Sequence, residues 1–151
     1  MENFINFLID WLFYSFIEGL IMYVYTLKFC NTKLPKLPEI IRNALIISFG
    51  SAMCSRFIPI MGLTQIIMIF YSFLFLKILI NKNSLKILLS VITIFIAYTI
   101  TEVFLVFLIG KCSFGIITLN LNSFFRILVF IISKIVEIII LHYTNKIFKG
   151  I

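Results

Sequence analysis

The chain has 151 residues, 62% of them hydrophobic and 13% charged, and its 13 basic against 6 acidic residues leave a net charge of +7, with a mean hydropathy of +1.17. A soluble domain carries roughly 25% charged residues, and a chain of this length cannot enclose so much apolar surface in one core, so a water-soluble globule is excluded and lipid must cover the excess. The positive balance does not point to nucleic acid, because the basic residues cluster at the ends of apolar segments, where membrane topology places them.

Crossing a hydrocarbon core of about 30 Å takes about 20 helical residues. Stretches that meet this length lie at about 4–27, 43–60, 63–80, 85–109 and 123–145, predicting an all-α, polytopic transmembrane helix bundle of five spans in one domain, 1–151. The first span opens with Glu2 and Asp10, lacks a basic start and a small-residue cleavage site, and reads as a retained span rather than a signal peptide. Pro35 and Pro38 in the following loop stop a helix, and Glu39 to Arg42 opens the second span near the inner interface. Pro59 and Gly62 make an external turn, and Asn81-Lys82-Asn83-Ser84 an inner one with Ser84 as the expected N-cap of span four. The external segment Gly110 to Ser123 is apolar enough from Phe114 to Leu121 to lie on the interface.

With the N-terminus outside, Lys28, Lys33, Lys36, Arg42, Lys77, Lys82, Lys86, Lys146 and Lys149 fall inside, and Arg56 and Lys111 outside. That imbalance predicts an N-out, C-in orientation. The heavy use of Ile, Lys, Asn and Phe, with 10 Lys against 3 Arg, suits an AT-rich genome and a bacterial cell membrane. Cys30, Cys54 and Cys112 fall in an inner loop, a span and an outer loop, so they form no disulfide or metal pair.

Ionisable residues in the bilayer cost at least about 2.5 to 3.5 kcal/mol each and usually face the bundle interior. Asp10, Tyr14 and Glu18 recur at i, i+4, i+8 on span one, and Tyr98 and Glu102 at i, i+4 on span four. On span five Arg126, Ser133 and Glu137 share a face flanked by Lys134 and His142. By depth Asp10, Glu102 and Arg126 belong to the outer half, and Glu18, Lys134 and Glu137 to the middle. Beside unpaired Lys and Arg that snorkel to the lipid headgroups, two readings follow. Arg126 neutralises Asp10 or Glu102 while Lys134 neutralises Glu18 or Glu137, which sets helix register; or the outer cluster lines a water-accessible site for a ligand, cation or proton.

Ala44, Ser48 and Ala52, again at i, i+4, i+8, would let a helix approach span two closely, either within the monomer or in a homodimer. Arg56 is either a headgroup anchor or part of an outer vestibule. His142, the sole histidine, lies at the inner end of span five. Trp11, Tyr14, Tyr23 and Tyr25 suit interfacial anchors or core aromatics. No phosphate loop, Cys/His metal spacing or Ser/His/Asp set is present, so neither catalysis nor a cofactor is expected.

Phe16-Ile17-Glu18-Gly19 in span one and Phe57-Ile58-Pro59-Ile60-Met61-Gly62-Leu63-Thr64 between spans two and three carry a further pattern. On these segments the chain resembles the N-terminal membrane input domains of Gram-positive sensor histidine kinases of the accessory gene regulator receptor type. The resemblance implies an input module, either cut from a longer protein or acting through a separate partner, that receives an extracellular hydrophobic or peptide signal and relays it to a cytoplasmic partner or missing kinase part. It departs from that family in its five expected spans, where pheromone receptors have more, and in that these 151 residues include no kinase region. Two other classes stand beside it: a small transporter subunit or proton- or cation-coupled carrier using Glu18, Glu102, Glu137 and Lys134, and a structural subunit of a membrane complex.

Overall fold

A computed structural model describes residues 10–57, 61–112 and 123–149, and all the elements it contains are helical. A π-wound turn, Asp10–Ser15, leads into α1 (Phe16–Phe29); α2 (Leu37–Phe57), α3 (Met61–Ile80), α4 (Ser84–Cys112) and α5 (Ser123–Lys149) follow. The segment Phe114 to Leu121 and the turn residue Pro59 lie outside the described residues.

Local chemistry explains the boundaries. α1 ends in a Schellman turn: Asn31 N–H donates to the Lys28 carbonyl at 3.1 Å and Thr32 N–H to the Leu27 carbonyl at 2.9 Å. Asn31 takes a left-handed φ of 52°, a conformation asparagine tolerates better than most residues. α2 starts at Leu37, earlier than a helix-stopping reading of Pro38 allows. Pro38 lies in the first turn, where its missing N–H would have had no intrahelical partner. Lys36 ends the loop by accepting the Glu39 and Ile40 N–H groups on its carbonyl. Asn81 at φ 45° turns the chain after α3. The cap of α4 is Asn83 and not Ser84: Asn83 Oδ1 accepts the Leu85 N–H at 3.0 Å, whereas Ser84 is the first helical residue and its hydroxyl receives Lys77 Nζ.

α3, α4 and α5 each contain a stretch long and apolar enough to cross a membrane, at Leu63–Ile80, Ser84–Phe104 and Leu128–Phe148. Their large apolar side chains point outward, among them Ile66, Phe70 and Ile78 on α3, Ile96 and Ile100 on α4, and Ile135 and Ile138 on α5. Water would not tolerate a surface of this kind over three helices; lipid does. α1 has 14 residues, about 21 Å of helix at 1.5 Å per residue, and α2 carries Glu39, Arg42, Asn43 and several serines.

The chain divides into two compact units, Met1–Ile92 and Thr93–Ile151. In the first, α1 is the most enclosed helix, with Gly19, Met22, Tyr23, Thr26 and Leu27 buried. Ala44, Ile47 and Ser48 of α2, Ser72 and Leu76 of α3, and Ile87, Ser90 and Val91 of α4 complete that interior. In the second, Ile94, Ala97 and Thr101 of α4 and Lys134, Glu137 and Leu141 of α5 are buried. Both interiors mix apolar side chains with small and polar ones such as Ala44, Ser48, Ser72, Ser90, Ala97 and Thr101, as expected where helices pack closely and lipid covers the apolar outside.

Candidate functional site

The second unit holds a charge pair inside the apolar stretch of α5. Lys134 Nζ donates to Glu137 Oε2 at 2.9 Å, and both side chains are almost fully enclosed, at 7% and 3% exposure. One helical turn separates them, so a single helix supplies both charges and orients them toward each other. The ammonium also lies 4.6 Å from the centre of the Tyr98 ring of α4 and 5.4 Å from that of Phe130. Cation–π attraction adds about 2 kcal/mol or more where the pair is desolvated. Lys134 sits six residues into the Leu128–Phe148 stretch, about 9 Å along the axis, and Glu137 about 14 Å. Both are therefore well inside the hydrocarbon depth, where each charge alone would be costly. Together they form a low-dielectric, mutually neutralised pair with an aromatic face beside the cation.

The first unit is tied by neutral polar contacts at successive depths. Trp11 Nε1 donates to Ser48 Oγ at 2.9 Å, and the indole meets Phe49 edge-on at 5.2 Å. Asn43 Nδ2 donates to the Tyr23 phenol oxygen at 2.8 Å in a buried site. Ser90 Oγ lies 3.1 Å from Thr26 Oγ1 and 2.7 Å from the Ile87 carbonyl. Gly19 backs directly onto the Ala44 and Ser48 backbone. Gly50 leaves the space that the Tyr71 ring fills, and the Tyr71 hydroxyl donates to the Ile46 carbonyl at 2.9 Å. These contacts hold α1 against α2 and α4, and α3 against α2.

The residues singled out in the sequence fall as follows. Lys134 and Glu137 come together. Glu18 is half-buried on α1 and Glu102 is exposed on α4, where it forms no ion pair among the described residues. The side chains of Asp10, Arg126 and Arg56 lie outside the described residues, and with them the outer cluster and vestibule. Ala44 and Ser48 are fully enclosed and Ala52 nearly so. His142 is exposed, its ring edge-on to Tyr143 at 5.9 Å. Among the described residues no three His, Cys, Asp or Glu side chains are grouped as metal ligands would be.

Three elements of this arrangement escape a reading of spacing alone: the close approach of α2 to Gly19, the Asn43–Tyr23 bond and the Thr26–Ser90 bond. Their only sequence signal is small or polar residues within apolar helices.

No family model, curated protein or solved structure matches the chain.

Proposed function

We propose that this chain is a five-span, N-out/C-in module of a bacterial cell membrane that receives a hydrophobic or peptide signal from outside and relays it through α5 to a cytoplasmic partner. The observation that carries the reading is the Lys134–Glu137 pair, enclosed beside Tyr98 at 4.6 Å. A buried ion pair is costly to leave without its surroundings, so it favours positions of α5 that keep it enclosed. It is placed on the helix whose far end, at Lys146 and Lys149, carries the basic residues assigned to the cytoplasmic side. An axial shift or rotation of α5 moves both charges together, since one helix carries them, and takes the pair past the Tyr98 ring, so the ammonium–ring contact distinguishes the states of the helix. The likeness of Glu18-Gly19 and of the Pro59-Gly62 turn to sensor-kinase input domains supports the same direction of signal flow.

A second reading, a proton- or cation-coupled carrier, draws on the same pair, since intramembrane carboxylates and lysines also serve as relays. One experiment separates the two. A spin label on an introduced cysteine at Thr144 reports α5 motion in nanodiscs, while a pH-sensitive dye reports proton flux in proteoliposomes. Relay predicts that a hydrophobic peptide extract of bacterial culture medium changes the label's mobility, that Glu137→Gln abolishes the change, and that flux stays at background. Flux lost in Glu137→Gln, with no change in mobility, overturns relay in favour of the carrier. Impermeant maleimide labelling of single cysteines at Lys33, Asn83 and Lys146 tests the orientation: external labelling at these positions in intact cells overturns it.

A further inference from the structure

The first unit carries Lys28, Lys33, Lys36, Arg42, Lys77, Lys82 and Lys86 around the end where α1 and α3 finish and α2 and α4 begin, with Glu39 the acidic residue among them. Contacts between α1 and α2 run in opposite chain order, Trp11 to Ser48 and Tyr23 to Asn43, so these helices are antiparallel; at the shared end Lys77 reaches Ser84, and the charges of Lys82 and Lys86 are felt at Cys30. Beside it, the first three turns of α2 carry a groove of about 560 Å³ lined by Leu37, Pro38, Ile41, Arg42, Leu45 and Ile46. Its lining is almost wholly apolar apart from Arg42, and Leu37 is strongly exposed and Ile41 partly so.

Arg42 is the cation of this groove. Among the described residues its guanidinium makes one side-chain contact, Nε to Asn43 Oδ1 at 3.5 Å, and forms no ion pair with Glu39 three residues earlier. A guanidinium presents paired donors suited to a phosphate diester, and this one stands about 7.5 Å along α2 from Leu37. Beyond it, Leu45 and Ile46 continue the apolar stripe toward the middle of the helix.

The geometry points to a bound anionic phospholipid at this end of the first unit, its phosphate on Arg42 and one acyl chain along Ile41, Leu45 and Ile46. A zwitterionic lipid fills the apolar stripe equally well but leaves the surrounding positive charge uncompensated, so charge complementarity selects an anionic headgroup. The inference rests on the membrane placement of the chain and not on the relay reading.

Native mass spectrometry of the full chain in detergent tests it, with dioleoyl phosphatidylglycerol and dioleoyl phosphatidylcholine as the added lipids. The wild-type chain is expected to retain the anionic lipid about fivefold better, the ratio that about 1 kcal/mol per surface cation represents. Arg42→Gln is expected to cut retention of the anionic lipid severalfold, Arg42→Lys to keep part of it, and Lys146→Gln, at the end of α5, to keep all of it. A misfolded Arg42→Gln chain would also lose the lipid, so the wild-type chain is challenged as well with glycerophosphoglycerol and with inorganic phosphate, neither of which should displace the lipid. Equal retention of the two lipids, equal loss in Arg42→Gln and Lys146→Gln, displacement by either soluble anion, or a dimer that excludes lipid overturns the proposal.

Discussion

Gly19 of α1 lies directly on the backbone of Ala44 in α2: a Cβ built on Gly19 would fall 2.6 Å from the Ala44 carbonyl oxygen and 3.1 Å from the Ser48 backbone nitrogen and Cβ. Two opposed effects decide what Gly19→Ala would do. Alanine favours a helix interior by about 1 kcal/mol over glycine. The clash, however, is with a backbone oxygen that moves only if a helix moves, and overpacking of this kind costs about 1 to 3 kcal/mol. The second effect wins. Gly19→Ala is expected to lower the thermal unfolding midpoint in detergent, and Gly19→Leu to lower it further; an unchanged or raised midpoint for Gly19→Ala would show that α1 and α2 do not pack at this distance.

Lys134 and Glu137 lend themselves to a double-mutant cycle. Removing one partner strands a buried charge, which costs about 3 to 5 kcal/mol, whereas replacing both by apolar residues of similar volume is often close to neutral. Lys134→Met and Glu137→Met are therefore each expected to be more destabilising than the double variant in denaturant unfolding of the detergent-solubilised chain. Losses that simply add would mean that the two charges do not act as a pair.

How much of this could be read from the sequence depends on whether one helix or two decide the outcome. Spacing within a helix is legible: Ala44, Ser48 and Ala52 form a stripe because they recur every four residues, and Lys134 and Glu137 lie one turn apart. Contacts between helices also depend on axial offset, which the turns set. The Schellman turn at Asn31 and the start of α2 at Leu37 fix how α1 and α2 slide past each other, and only then do Tyr23 and Asn43 meet. Thr26 and Ser90 are 64 residues apart, and no local pattern links them. Pro38 misleads for a related reason: proline breaks a helix interior but suits the first turn, and the two cases differ only in which N–H needs a partner.

The Asn43–Tyr23 bond at 2.8 Å gives a smaller, measurable effect. Tyr23→Phe removes the acceptor and leaves the buried amide of Asn43 to find another. Interhelical hydrogen bonds in membranes average about 0.6 kcal/mol and reach about 1.7. Tyr23→Phe is expected to destabilise within that range, and Tyr23→Phe in an Asn43→Ala background to add little. A full additional loss in the double variant would show that the phenol acts through another contact.

Cys30 offers a test in pH. It is buried at the end of α1, and burial pushes its thiol above the ordinary value, while the ammonium groups of Lys86 and Lys82 pull it partly back. The thiolate is the reactive species, so a raised pKa leaves less of it at neutral pH and shifts the rise of reactivity to higher pH. In a Cys54→Ala, Cys112→Ala background, maleimide labelling at Cys30 is expected to be slow at pH 7 and to accelerate only above the range of an exposed thiol. Lys82→Gln with Lys86→Gln removes the two opposing charges, so its labelling profile should move further toward high pH. Burial alone would slow the reaction at every pH without displacing the profile, and the two lysines are what separate these cases: a double variant with an unshifted profile would place their ammonium groups too far from Cys30 to act on it.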